Sequence, residues 1–287
     1  MESGNPPERG HMNSTDVHFN LSGKKALVTG ASRGIGAAIA LAYADSGADV
    51  ALLARTTADL EEMADRIRAR GGEAHAITCD LTDDRQVAQA VADSVAALGG
   101  LDVVVNNAGA LGPVAPFLDI SADIAADVLD LNFSSAVRVL RTAGSHLVQR
   151  GSGVVLNIST GAALNGTPGF SIYAAAKAAM ISLTRTLAVE WASTGVRVNA
   201  LAPGLIATGL TSGMHDDPDL SSRLVGAVPA GRWGTPDDIT GAALYLACDA
   251  SSFVSGTCLS IDGALCAATG GTTFRDLLGL GPASAGD

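Results

Sequence analysis

Positive charge is scarce in this chain: 18 Lys and Arg stand against 29 Asp and Glu, a formal net charge of -11 over 287 residues. A surface at negative potential repels phosphate backbones and anionic membranes, so nucleic acid is not expected as a partner and any anion site must be a local cluster of cations. Cysteine is sparse as well. Cys79, Cys248, Cys258 and Cys266 share no C-x-x-C spacing, which argues against a zinc site or a disulfide framework and fits reduced thiols in a cytoplasmic protein. His215-Asp216-Asp217 has no second cluster to complete a metal site, because neighbouring residues do not share a face. With aromatics at 4%, the core must be built from Ala, Val, Leu and Ile. The uncharged stretch 151–176 is not expected to span a bilayer, since Asn157, Asn165, Pro168 and five glycines break it. Residues 1–20 lack an apolar segment, so a flexible arm is expected there, with no secretory signal or membrane anchor.

What the chain does have is alternation. Short runs rich in Val, Leu and Ile recur between longer Ala-rich stretches, the pattern of repeated βα units around a parallel sheet. Strands are expected at 25–29, 49–53, 74–78, 101–105, 153–157, 196–201 and 257–261. Helices fill the gaps, and Gly47, Gly71 and Gly99 stand where helices of 35–46, 57–70 and 83–98 should stop. The fold class is α/β, a Rossmann-type doubly wound parallel seven-stranded sheet with helices on both faces, in one domain over 21–263 with a C-terminal extension over 264–287.

The first strand runs directly into Thr29-Gly30-Ala31-Ser32-Arg33-Gly34-Ile35-Gly36 and then a helix. Backbone N–H groups and a helix N-terminus can receive a dinucleotide pyrophosphate at such a junction, and glycines permit the close approach. The spacing is G-x-x-x-G-x-G instead of the commoner G-x-G-x-x-G. Enzymes selective for NAD place a carboxylate at the end of the second strand, on the ribose 2′-hydroxyl. Here that place holds Ala54, followed by Arg55, and Arg33 lies inside the glycine loop. Two guanidiniums suit a 2′-phosphate, so the cofactor expected is NADP(H). Farther on, Tyr173 and Lys177 lie four apart on a predicted helix, on one face, where a cation can favour phenolate and bring the phenol into acid/base range.

Taken together these residues resemble the short-chain dehydrogenase/reductase family, over about 21–263. The resemblance implies a direct hydride transfer between a nicotinamide and a carbonyl or alcohol. It implies cofactor contacts from Gly30, Ser32, Arg33, Gly34, Ile35 and Gly36 in the loop, Arg55, Asp80-Leu81 at the adenine, and Asn107-Ala108-Gly109 after the fourth strand. Pro203, Gly204, Ile206 and Thr208 resemble the segment that holds the carboxamide. Tyr173 and Lys177 match the catalytic pair and also touch the nicotinamide ribose, and Asn132 in Leu-Asn-Phe resembles the residue that organises a water relay to the lysine. The family's serine lies thirteen residues before the tyrosine, a position held here by Thr160. Thr160 can donate a hydroxyl but its methyl crowds the carbonyl; Ser159 is the fallback if the strand end shifts by one.

Ligands of this fold lie beyond the carboxyl ends of the strands, so the substrate pocket should draw on 110–116, 161–170 and 205–227. Leu111, Val114, Leu164, Phe170, Leu205, Met214 and Leu224 offer no cation there, with Arg223 the exception, which favours a small neutral ketone or its alcohol. Reduction of 3-oxoacyl groups on a carrier protein is an alternative, weakened by Thr194 in the loop where such reductases often carry Arg and by the negative charge. Leu187-Ala188-Val189-Glu190-Trp191 looks more like the family's polyol, sugar-acid and general ketone reductases. A non-enzymatic dinucleotide sensor is a third reading, which the proton relay disfavours. The resemblance also implies a homo-oligomer, tetramer or dimer, through helices near 126–150 and 171–194. Phe274, Leu277 and Leu278 suggest an apolar turn that could reach a neighbouring subunit.

Overall fold

The inner strands are runs of four to eight residues buried on both faces, which is why they read as continuous apolar segments. The two edge strands, 74–78 and 258–261, are partly exposed. In chain order the elements are β1 (Lys25–Thr29), α1 (Gly34–Asp45), β2 (Asp49–Ala54), α2 (Thr57–Arg68), β3 (Ala74–Thr78), α3 (Asp84–Leu98) and β4 (Val103–Asn106). There follow α4 (Ala122–Leu129), α5 (Ser135–Arg150), β5 (Gly153–Ile158), α6 (Ser171–Trp191) and β6 (Val196–Pro203). The chain then forms α7 (Ser212–His215), α8 (Pro218–Gly226), α9 (Asp237–Ala247) and β7 (Cys258–Ile261). The computed structural model describes residues 19–268; the N-terminal arm up to 18 and the apolar turn at Phe274, Leu277 and Leu278 lie outside the described residues.

All pairings are parallel, in the order β3-β2-β1-β4-β5-β6-β7. The order reverses between β1 and β4, and a crevice opens there beyond the carboxyl ends of the strands. Helices α1, α2 and α9 cover one face through Ile39, Tyr43, Leu60, Ile67, Ile239 and Leu246. Helices α3, α5 and α6 cover the other through Val87, Val91, Val139, Leu147 and Ala188. Small residues let α1 and α9 approach closely, and the buried Tyr43 hydroxyl donates to the Ala243 carbonyl at 3.1 Å. At the N-terminus of α3, Asp83 accepts from the Arg85 and Gln86 amides at 2.8 and 3.1 Å, while Gly99 ends the helix in a left-handed conformation.

Two features depart from the expected element pattern. β4 begins at Val103, because the Asp102 carboxylate turns back to accept from the Lys25 amide at 2.9 Å. The helix expected through 126–150 is interrupted by a π-turn over Asp130–Ser134 that carries Asn132. One helix, Ser171–Thr194 including a final 3-10 turn, is long and apolar enough by composition to cross a membrane. Here it lies against the sheet and directs Tyr173, Ala176, Lys177 and Met180 inward.

Candidate active site

The glycine loop is shaped by contacts that admit no side chain. A Cβ on Gly36 would lie 2.3 Å from the Gly30 carbonyl oxygen and 2.4 Å from Asn107 Nδ2, so the first turn of α1 rests directly on the loop. Gly30 and Gly34 both have positive φ, 63° and 58°, which leaves the N-terminal amides of α1 open to the crevice. Asn107 Nδ2 donates to the Thr29 and Gly30 carbonyls at 2.9 and 3.2 Å, and Thr29 Oγ1 accepts from the Asn107 and Ala108 amides at 2.9 and 3.2 Å. The end of β4 is thereby stapled to the end of β1. Gly36→Ala is expected to lower the melting temperature and weaken NADPH binding together, since the displaced groups are the Gly30 backbone and the Asn107 amide that staples β4 to β1; a variant with parental melting and affinity would show the contact to be slack.

A groove of about 470 Å³ runs from this loop across Ala54, Arg55, Asp80 and Leu81. Arg33 and Arg55 are exposed and border it together. The Asp80 carboxylate is held by the Thr82 amide and hydroxyl at 3.0 and 2.7 Å; these bonds, more than the nearby Arg55 cation, lower its pKa. Asp59, in the first turn of α2, lines the same groove and escaped the sequence reading, since a lone helical Asp carries no motif. The residues fit a phosphorylated dinucleotide: a Cβ-free cradle, a helix N-terminus, no carboxylate at the end of β2 and two guanidiniums beside it.

Beyond the loop the crevice deepens into a cavity of about 580 Å³. Tyr173 and Lys177 lie four residues apart on the inward face of α6, 8% and 4% exposed. Lys177 Nζ donates to the Ile158 carbonyl at 3.0 Å, and the Ser159 hydroxyl donates to the Lys177 carbonyl at 2.9 Å. Ser159 is therefore occupied in anchoring α6, while Thr160 lines the cavity with its hydroxyl against the Tyr173 phenol. Asn132 Nδ2 donates to the Ala110 and Val128 carbonyls, both at 2.8 Å, and Oδ1 accepts from the Ala110 amide at 3.2 Å. A Cβ on Gly109 would meet Asn132 Oδ1 at 2.6 Å and Lys177 Nζ at 3.2 Å, so the two side chains flank this glycine. The π-turn that presents Asn132 has no local sequence signature, although such turns cluster at functional sites.

Burial governs the titration of the pair. It pushes Tyr173 up to about 12, opposed by the Thr160 hydroxyl, and pushes Lys177 down to about 8. The expected lowering of the phenol by the ammonium is not what prevails: desolvation dominates both groups. For Lys177 the folded value lies below the unfolded 10.5, so between those two pH values the unfolded chain binds more protons and stability rises with pH. Lys177→Met should therefore be more stable than the parent at pH 7. At 1.36 kcal/mol per unit the relief is roughly 3 kcal/mol, less about 1 kcal/mol for the lost bond to Ile158. The advantage should shrink as pH climbs from about 8 toward 10.5; denaturant unfolding of both proteins across that range checks it, and a gap independent of pH would contradict it.

The segment after β6 closes the site. Gly204 packs on Asp262, where a Cβ would come within 2.7 Å. Thr211 Oγ1 donates to the Ile206 carbonyl at 2.6 Å and accepts from the Thr208 amide at 3.1 Å. Pro203, Gly204, Ile206 and Thr208 thereby line the cavity. Among the expected pocket residues, Leu111, Phe170, Leu205, Met214 and Leu224 line it as well. Val114 and Leu164 do not: they are 56% and 40% exposed. Arg223 lies on the exposed surface of α8. Leu265 and Cys266, beyond the region the sequence assigned to the pocket, also line the cavity.

Residues 30–265 match the family described as enoyl-(acyl carrier protein) reductase. A 2-dehydro-3-deoxy-D-gluconate 5-dehydrogenase of Pseudoalteromonas atlantica is 39% identical over 251 residues, covering 85% of this chain and 96% of the relative. The crystal structure of a gluconate 5-dehydrogenase of Burkholderia cenocepacia, in complex with NADP and tartrate, superposes with a TM-score of 0.84 at 35% identity, covering 88% of this chain and 98% of that one. A levodione reductase structure superposes with a TM-score of 0.84 at 29% identity, over 87% of this chain and all of the other, 100%.

Proposed function

Since the chain belongs to the short-chain dehydrogenase/reductase family, we propose that it reduces a small neutral ketone to a secondary alcohol with NADPH, reversibly, with Tyr173 as the proton donor. It is an NADP(H)-dependent oxidoreductase acting on CH–OH and C=O groups. NADPH, when bound, supplies the hydride. Tyr173, held protonated by burial, gives its proton to the carbonyl oxygen as charge develops there, and the Thr160 hydroxyl donates to the same oxygen. Lys177 sits behind the phenol, held by the Ile158 carbonyl, and holds the nicotinamide ribose. Asn132, across Gly109 from Lys177, takes the role of organising a water relay to Lys177 that would replace the proton spent by Tyr173. Gly30 to Gly36, Asp80-Leu81 and Asn107 to Gly109 seat the dinucleotide, and Arg33 with Arg55 engages its 2′-phosphate.

The observation that carries the substrate reading is the cavity itself. Tyr173 and Thr160 face a space walled by Leu111, Leu205, Met214 and Leu224, and among its described lining residues Lys177 is the sole cation. A carboxylate entering the apolar part of that space, away from Lys177, would lose its hydration without gaining a cationic partner. The gluconate-type relatives favour a second reading, oxidation of a polyol or sugar acid, for which Asn165, Thr167 and Thr211 supply polar lining. To the same proposal belong 21–263 as the catalytic domain, a cytoplasmic setting, and a dimer or tetramer through α5 and α6, whose outer side carries the exposed Val189. The test is NADPH consumption across aliphatic and aryl ketones, with gluconate and C4–C6 polyols assayed with NADP in the oxidative direction. Turnover of ketones supports the first reading, and turnover of gluconate or polyols alone supports the second.

A further inference from the structure

After β7 the chain turns back over its own cavity. The Asp262 carboxylate accepts from the Ala264 amide at 3.0 Å and from the Cys266 amide at 2.8 Å. Ala264 has φ 70°, alone among the described non-glycine residues in that left-handed region. Such a conformation costs on the order of 1 kcal/mol or more, so surrounding contacts must hold it. They are present: the Gly263 carbonyl accepts from the Ala230 amide at 3.1 Å, and a Cβ on Gly263 would lie 2.8 Å from Ala230 Cβ. The turn is clamped between β7 and the connection from α8 to α9.

The clamp delivers Leu265, Cys266 and Ala268 to the cavity wall. Cys266 Sγ donates to the Gly161 carbonyl at 3.5 Å, and a Cβ on Gly161 would come within 3.0 Å of that sulfur. No free space separates the thiol from the turn that follows Thr160. Leu265 is the last residue of the family match, and Cys266 and Ala268 follow it directly.

We propose that the Leu265–Ala268 segment sets how far a substrate extends beyond its carbonyl, with Leu265 and Cys266 as specificity-determining residues. The proposal rests on the reading of the cavity as the substrate site. Burial and the Asp262 carboxylate push the Cys266 thiol up to about 12, so it presents a small neutral S–H surface instead of a nucleophile. A bulkier side chain there shortens the space, and a smaller one lengthens it.

The test is kcat/KM for 2-ketones of increasing chain length, and for C4 to C6 polyols, in the parent, Cys266→Ala and Cys266→Phe. One methylene in an apolar pocket is worth roughly tenfold or more in kcat/KM. The ratio between the longest and shortest accepted substrates should fall by about that factor in Cys266→Phe and rise in Cys266→Ala. Turnover of polyols alone would sink the ketone reading, and the length ratio along the polyols would still decide the wall. A uniform loss at every length would overturn it. A separate variant, Cys266→Trp, reads the position without turnover: its added emission should be blue-shifted, as for an indole in an apolar cavity, and quenched on adding NADPH. Emission typical of a solvated indole and indifferent to NADPH would overturn the proposal even if no carbonyl or polyol is turned over.

Discussion

Tyr173→Phe should lower kcat for carbonyl reduction by about a thousandfold, within the range that general acid catalysis contributes, while NADPH affinity moves far less. Only the hydroxyl is removed; the ring keeps its packing at 8% exposure, and the partner left behind, Thr160, still reaches the cavity. The nucleotide groove from Gly30 to Leu81 is formed without Tyr173, so the dinucleotide retains its seat. Steady-state turnover set beside fluorescence titration of NADPH separates the two effects. Near-parental kcat would remove Tyr173 from the chemistry, and a collapse of NADPH binding would make its role structural.

Arg33→Ala with Arg55→Ala should abolish the preference for NADPH over NADH. Hydrogen bonds to charged groups are worth about 1.5–3 kcal/mol, and both guanidiniums are exposed, which places each at the low end, about tenfold. Together they should cost about a hundredfold in kcat/KM for NADPH if they act independently, with little change for NADH, which lacks the 2′-phosphate. Ala54 at the end of β2 leaves no carboxylate to reward the ribose hydroxyl, so the double variant becomes indifferent between the coenzymes instead of selective for NADH. Equal losses with both coenzymes would instead assign the arginines to general support of the groove.

The sheet was legible in the sequence because an inner parallel strand is buried on both faces and reads as a mostly apolar run: KALVT became β1 with its expected bounds, and the edge strand AHAIT, only partly buried, became β3 with its own. The glycine loop was legible because backbone contact at 2.3 Å admits no other residue at Gly36. Thr160 was chosen over Ser159 by its spacing of thirteen residues from Tyr173, and the structure occupies the Ser159 hydroxyl elsewhere, on the Lys177 carbonyl. Other features depend on distant contacts that leave no local pattern. The π-turn at Asn132 comes with side-chain bonds from that residue to Val128 and Ala110. The cavity wall at Leu265 and Cys266 requires Asp262 and Ala230 to clamp a left-handed alanine. The titration of Lys177 could not be read from spacing either, since desolvation depends on what covers a group and not on what precedes it.

The central claim is that hydride passes directly from NADPH to a neutral carbonyl while this chain supplies the proton. Its most direct test is reduction of an accepted ketone with NADPH carrying deuterium at C4, on the face that is transferred, followed by mass spectrometry and NMR of the alcohol. The account predicts one deuterium on the carbinol carbon and a hydroxyl proton from solvent. Alcohol without deuterium on that carbon, or no NADPH consumption with any ketone, would contradict it.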